Sequence, residues 1–574
     1  FLRQSAYCLK IFSYAFHYNY KGIWDLIQNH SPFWLSGVLL ITIPVMMPIG
    51  ILLYSFFMPS DSTSQSLDIF EHIRQTVLPI YLYNTLLLMA LVGIAASIIG
   101  VSTAWITSKY TFPLSKLLTP ALVLPLAAPA YVVGYVYADL LEYAGPIQTY
   151  YRLMFNIEEI NYYFPSIRSL GGAAFVISLV LYPYIYLLAR ASFTQQSVIL
   201  GDAARVLGAS KKKLFWKVAL PVARPAIAGG IALVLMETIA DYGVVEHFGV
   251  PTFTIGIFRT WYGMGEHTAA LQLAGWLFII VAFLVIAEQF ARKGQYFNPI
   301  SGYKHGKKKK LTGLTGSFAM TICLIPVFFG FVIPFFILIK HAISIGDPIS
   351  GKNFSKLLLN SIYVATLAAF LCSLASIWLS YSQRLRNDFF TNLGIRISTL
   401  GYAIPGMILA IAMLVPLSFF DKFLSRFLQQ YIDGFGSLLI TGSVAALVFV
   451  YIARFLTISY NSSQMGMNSI HYNLDAAART LGSPPWQVLK KIHIPLFKPA
   501  VLSGFLLVFI DIIKELPATL ILRPFNFETL ATRVYRLASD ERISEASTAA
   551  LTIIFLGLVP IFLILINDLK KKNI

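Results

Sequence analysis

The sequence predicts an all-α polytopic membrane protein, with about 12 transmembrane helices in two homologous six-helix halves. Three observations predict it. Hydrophobic residues make up 57% of the 574 positions and charged residues only 12%, with a mean hydropathy of +0.70, whereas soluble globular proteins carry about 25% charged residues. Twelve stretches are mostly apolar over about 20 residues, the length that crosses a hydrocarbon layer about 30 Å thick as a helix. Motifs of the first half also return in the second at a nearly constant offset. This composition leaves too little polar surface for the three or four soluble domains that the length alone would allow. It also excludes a disordered regulator, a coiled coil and a disulfide-stapled secreted protein, because Cys8, Cys323 and Cys372 show no metal-type spacing.

Taken in order, the spans fall at 34–57, 82–105, 117–137, 169–189, 226–247 and 270–290, then at 317–339, 358–380, 397–418, 437–457, 500–521 and 547–567. The first is too long for the apolar core of a cleavable signal peptide and lacks a small-residue cleavage site, so it is read as a true span. Pro and Gly interrupt many of the others, which blurs their ends. The aromatic segment 1–31 suits the inner membrane interface.

Orientation follows from Lys and Arg, which accumulate in short cytoplasmic loops. With the N-terminus inside, the inward segments 1–31, 106–116, 190–225, 291–316, 381–396, 454–499 and 568–574 hold 30 of the 44 basic residues and 5 of the 26 acidic ones. Both termini are therefore expected in the cytoplasm. The run Lys307–Lys310 abuts a span, and the excess charge follows the inward loops, so it reads as a topology signal rather than a nucleic-acid site.

The repeat is most explicit in two inward segments. DAARVLGASKKKLFWKVALPVARPAIAGG at 202–230 and AAARTLGSPPWQVLKKIHIPLFKPAVLSG at 476–504 align at an offset of 274. The alignment pairs Ala203 with Ala477, Ala204 with Ala478, Gly208 with Gly482, Pro221 with Pro495 and Gly230 with Gly504. At an offset of 276, Asn84 matches Asn360 and Pro129 matches Pro405. The expected organisation is a segment 1–31, a first half 32–290, a basic linker 291–316 and a second half 317–574. Six spans per half place the halves in parallel, with a pathway between them. Each loop reads as a short helix, a glycine bend and a second short helix that Pro221 and Pro225 stop before the next span. Its mixed basic and apolar surface suits a groove on a partner, and a rigid join to the span would make it a lever.

These segments resemble the EAA loops of ABC importer permeases, whose pattern is roughly E-A-A-x-x-x-G followed at a fixed distance by a hydrophobic-x-hydrophobic-Pro ending. The first copy has Asp202 at the Glu position. The second has Ala476 there, with Asp475 one place earlier. The resemblance implies the type I importer transmembrane fold. It also implies that Asp202, Ala203, Ala204, Gly208 and Pro221, with Ala476, Ala477, Ala478, Gly482 and Pro495, belong to coupling helices docking on two copies of a cytoplasmic ATPase. The stretches 237–274 and 514–541 resemble the fused two-half permeases of bacterial ferric-iron uptake, which implies Fe³⁺ delivered by a periplasmic binding protein and a multi-pass place in the inner membrane. Thiamine, phosphonate and other small solutes remain open as cargo. The chain has no G-x-x-x-x-G-K-[ST] phosphate loop. It is therefore expected to be no enzyme and to bind no cofactor itself, with ATP and Mg on the partner.

Glu237 and Asp241 lie four residues apart in the fifth expected span, and Asp511 and Glu515 match them in the eleventh. At that spacing each pair would share one helix face. An ionised residue deep in a span costs about 2.5–3.5 kcal/mol, so the four acids should face water, a partner or each other. One reading is an anionic lining that guides a cation. The other is a structural network involving Lys514, or caps on kinked helices near Pro517. Arg259, Trp261 and Glu266, and Arg523, Arg533 and Arg536, sit in outward loops, where they read equally as contacts for a binding protein or as ordinary solvated loop charge. His247 and His267 lack partners at ligand spacing, and no metal site is expected. A secondary transporter of twelve spans would have no need of matched loops between its fourth and fifth spans, and an intramembrane redox enzyme would need His pairs or Cys clusters.

Overall fold

The computed structural model describes residues 32–57, 71–157, 162–195, 206, 210–292, 308–346, 352–429 and 439–572. Segment 1–31 and positions 293–307 of the linker lie outside these. Ten helices among the described residues are long and apolar enough to cross a membrane. A pair of helical segments, Ser115–Ala127 and Ala130–Phe155, bent by 92°, makes an eleventh if it is counted as one span. The last expected span, 547–567, overlaps the shorter apolar helix Ile543–Val559. The architecture is all-α apart from one parallel pair of two-residue strands, β1 (Tyr110–Thr111) and β2 (Lys309–Lys310). β2 belongs to the basic run, so the linker's end is stitched to the end of the second span, where Lys308 Nζ also donates to the Thr107 carbonyl at 2.5 Å.

The third span differs from a straight 117–137 helix. A 3₁₀ turn at Leu124–Ala127 ends at Ala128, and Pro129 is extended before the helix resumes at Ala130. Proline lacks the N–H that would continue the ladder, so the chain turns there. The same device recurs at Gly401–Ala403, before Pro405 and the helix Gly406–Gln429.

The fifth and eleventh spans also depart from expectation. Pro221 and Pro495 do not separate the loop helix from the span. Instead the chain runs as one helix from Lys212 to Ala240 and from Pro485 to Ile513, through a five-residue π turn at Phe215–Ala219 and at Leu489–His493. A proline ring clashes with the carbonyl four residues back, and a wider i→i+5 turn relieves that clash. The two π turns stand 274 residues apart, in register with the sequence repeat.

By internal contacts the chain divides into two units, neither of which coincides with a sequence half. One comprises Phe1–Met47, Leu367–Tyr402 and Tyr451–Val508, and the other Pro48–Thr366, Ala403–Val450 and Phe509–Ile574. In the first unit a core of Trp34, Tyr381, Leu385, Met467, Ile470, Leu489 and Phe497 gathers under the second inward loop. Close helix approach there uses Gly504, where a Cβ would lie 3.1 Å from that of Ser462 and 3.2 Å from Ser459 Cα. In the second unit its repeat mate Gly230 meets Ile185 Cα at 2.8 Å. Small residues at such contacts let helices pack by dispersion where lipid supplies no hydrophobic drive.

Candidate coupling loops and translocation path

The second inward loop is built on a short amphipathic helix, Asn473–Thr480. It ends in a left-handed Gly482, φ +76°. Gly482 N–H donates to the Arg479 carbonyl at 2.9 Å, and Ser483 N–H to that of Ala478 at 3.0 Å. This is the Schellman arrangement, which favours glycine because the left-handed conformation crowds a Cβ. Ala476, Ala477 and Ala478 lie inside the helix, and Pro495 is the second residue of Ile494–Ile513. In the first copy, Pro221 occupies the matching place in Leu220–Ala240. Asp202, Ala203, Ala204 and Gly208 lie outside the described residues.

What holds the loop is Asp475, one residue before the expected acidic position. Its carboxylate is buried and accepts from Arg384 Nε at 2.7 Å, while His493 Nε2 stands 2.6 Å from its other oxygen. Arg384 also donates to the carbonyls of Met467 at 2.8 Å and Ile470 at 3.0 Å, and lies 4.4 Å from the Tyr472 ring centroid. Tyr381 Oη donates to the Pro485 carbonyl at 2.6 Å. One carboxylate thus ties the loop helix to the last turn of Lys352–Leu385 and to the π turn that leads into the eleventh span. Burial raises its pKa, but the His493 and Arg384 contacts outweigh that and hold it below the usual carboxylate value. Neither Arg384 nor His493 stood out in the sequence, where each is one more base in an inward segment.

The four span acids do not form two same-face pairs. The fifth span ends at Ala240, and Asp241 is extended. Its Oδ1 accepts from the Val244 and Val245 amides at 3.0 and 3.4 Å, capping Gly243–His247. The eleventh span ends at Ile513. Glu515 Oε1 then accepts from Ala518 N–H at 3.2 Å, at the start of Pro517–Leu522. Asp511 pairs with Lys514 at 2.7 Å, whose ammonium lies within electrostatic reach of Glu237. Broken helix ends leave amides without carbonyl partners, and carboxylates satisfy them.

Beyond each break the two halves repeat an anchor. Asn84 donates to the Pro251 carbonyl at 3.0 Å, and Asn360 to that of Glu528 at 3.2 Å. One residue on, Thr85 accepts from Phe253 N–H and Ser361 from Leu530 N–H. Arg523, Arg533 and Arg536 come together here, around a cavity that Lys356 and Glu528 also line. Among the described residues no group of three or more His, Cys, Asp or Glu side chains is placed to hold a metal ion.

Helical spans broken at matched carboxylates, with matched π turns leading into them, define a polytopic membrane protein built on a duplicated plan. The profile of the family "binding-protein-dependent transport system inner membrane component" matches residues 96–288 and again 372–572, and the chain belongs to that family. It is similar to Fe(3+)-transport system permease protein FbpB 2 of Haemophilus influenzae, at 26% identity over 94% of this chain and 99% of that protein. It is similar also to ferric transport system permease protein FbpB of Actinobacillus pleuropneumoniae, at 21% over 93% of this chain and 78% of that one. Molybdenum transport system permease protein ModB of Escherichia coli is 28% identical over 34% of this chain and 84% of its own length.

Proposed function

We propose that this chain is the membrane subunit of an ATP-driven importer of ferric iron. The iron arrives on a periplasmic binding protein, and two copies of a cytoplasmic ATPase dock on loops 202–221 and 476–495. The observation that carries this reading is similarity to ferric permeases over nearly the whole chain. ATP and Mg belong to the partner, both termini lie in the cytoplasm, and the chain holds no cofactor.

The duplicated π turns and the Asp475 clamp support a lever. When the ATPase dimer closes on ATP it displaces each loop, and because the loop's second helix is continuous with its span, the span moves with it. The clamp adds the end of Lys352–Leu385 to the moving body. Outward opening on ATP and inward opening after hydrolysis then require that the two ATPase states contact the loops differently. Glu237, Asp241, Asp511 and Glu515 sit where spans 5 and 11 break, beside the path. The Asp241 and Glu515 carboxylates serve caps and that of Asp511 pairs with Lys514, and we assign none of the four a direct bond to the cargo.

The test is reconstitution of the permease with the ATPase and binding protein encoded beside it. Ferric-loaded binding protein is expected to stimulate hydrolysis. Stimulation by thiamine or a phosphonate and not by iron would overturn the cargo, and transport without any ATPase would overturn the mechanism.

A further inference from the structure

Where the basic linker rejoins the membrane, the fold gathers lysines and bare apolar side chains at the ends of two spans. The span Leu78–Lys109 ends and the span Gly313–Ser344 begins at a backbone stitch. Tyr110 and Thr111 pair in parallel with Lys309 and Lys310, and Leu311 N–H donates to the Thr111 carbonyl at 2.8 Å. Gly316 lies against Pro113, whose Cδ would stand 3.2 Å from an added Cβ, and the helix Ser115–Ala121 packs on the start of the same span. Lys116, Lys309 and Lys310 are thereby brought to one edge of the stitch, and all three are exposed. No Asp or Glu occurs between Glu71 and Asp139, nor between Glu288 and Asp347, so the two stitched segments present basic charge alone. Beside the lysines, Leu114, Leu117, Leu314 and Phe318 are exposed as well, Leu314 at 91%.

We propose that this edge is a binding site for an anionic phospholipid, with its headgroup among Lys116, Lys309 and Lys310 and its acyl chains along Leu117, Leu314 and Phe318. Two spans end here, so the lysines stand at the level where hydrocarbon gives way to headgroups, whichever leaflet that is. An ammonium on a flexible stem is a point charge with three donors, which suits a lipid phosphate, and clustered lysines beside a span attract anionic headgroups. A free phosphate or a nucleic acid would engage the lysines and leave the leucines and Phe318 in water, whereas an anionic lipid covers both. A lipid bound across the two strands would also fasten the end of the linker to the second span, reinforcing a stitch of only two residues per strand. The inference needs the spans and the stitch, and it is independent of the cargo.

The experiment titrates phosphatidylglycerol, and phosphatidylcholine of the same chains, into the purified full-length protein in an uncharged detergent, and counts bound lipids by native mass spectrometry. Saturable retention of phosphatidylglycerol over phosphatidylcholine is expected. It should weaken about tenfold or more in the triple variant Lys116→Gln, Lys309→Gln, Lys310→Gln, whose backbone pairing is untouched, and persist when the same three become Arg. A control triple variant, Lys212→Gln, Lys213→Gln, Lys217→Gln, removes three exposed lysines elsewhere and should bind as the wild type does. Equal thermal midpoints of all variants in lipid-free detergent show that each is folded. No preference for phosphatidylglycerol in the wild type, or equal weakening in both glutamine variants, overturns the proposal, the second because it reports overall charge rather than a site. Displacement of the lipid by glycerol 3-phosphate at matched concentration also overturns it, since the acyl contacts then contribute nothing. So does tighter binding of a short oligonucleotide at the same lysines. No iron, ATPase or binding protein is present, so each of these failures leaves the ferric reading standing.

Discussion

Without the Asp475 carboxylate, Arg384 would stay buried with the Met467 and Ile470 carbonyls and the Tyr472 ring to face, and no counter-charge from Asp475. Losing one partner of a buried ion pair costs about 3–5 kcal/mol. Asp475→Asn should therefore lower the thermal midpoint of the purified protein and diminish ATPase stimulation in the reconstituted system. Wild-type values for both would dismiss the clamp. The carboxyl's lowered pKa fixes the sign with pH. A depressed folded-state value stabilises above the unfolded value of about 3.9 and ceases to do so as pH falls through the folded one. The midpoint gap between the wild type and Asp475→Asn should hold steady from about pH 8 to pH 5 and close below about pH 4. A gap that widens in acid would contradict the assignment. The sequence showed Asp475 only as an acid one place before the Glu position of the resembled pattern, because what makes it a clamp is the location of Arg384, 91 residues away.

At the scale of elements, the paired glycines test the repeat. A methyl at Gly230 would stand 2.8 Å from Ile185 Cα, a backbone atom that cannot yield without moving its helix. Overpacking of this kind costs about 1–3 kcal/mol. At Gly504 the nearest atoms are Ser462 Cβ at 3.1 Å and Ser459 Cα at 3.2 Å, and a shift of a few tenths of an ångström suffices. There the roughly 1 kcal/mol helix preference of Ala over Gly should offset the crowding. Gly230→Ala is thus expected to lower the thermal midpoint and Gly504→Ala to leave it nearly unchanged. The reverse order would mean that the two contacts are not as close as described. The glycine match was legible in the sequence, and so was the Asn84 and Asn360 pairing, because identical residues at a fixed offset need no geometry to be seen. The π turns were not legible. A proline shortly before a span predicts a stop by local rules, and whether the helix breaks or widens depends on how firmly its two ends are held.

For the whole molecule, the distribution of Lys and Arg predicts opposite exposure of two loops. With the three native cysteines replaced by alanine, Leu481→Cys should resist a membrane-impermeant maleimide in sealed cells and react after lysis. Phe525→Cys should react in intact cells. Both side chains are well exposed, at 84% and 93%, so burial would not account for protection. Labelling of position 481 from outside would invert the topology and with it the coupling role. The sequence by itself determined the helical class, the expected sidedness and the duplication. Each of these is written in contiguous hydropathy, in charge counts or in local identity. Only the tertiary structure decided where spans 5 and 11 end, which carboxylates are committed to caps and pairs, and that Lys356 joins three arginines around one cavity. The Asp475 clamp and the Asn360 anchor likewise depend on partners 91 and 168 residues apart, each in an ordinary local context, and backbone amides and buried charges choose among such partners only once the chain has folded.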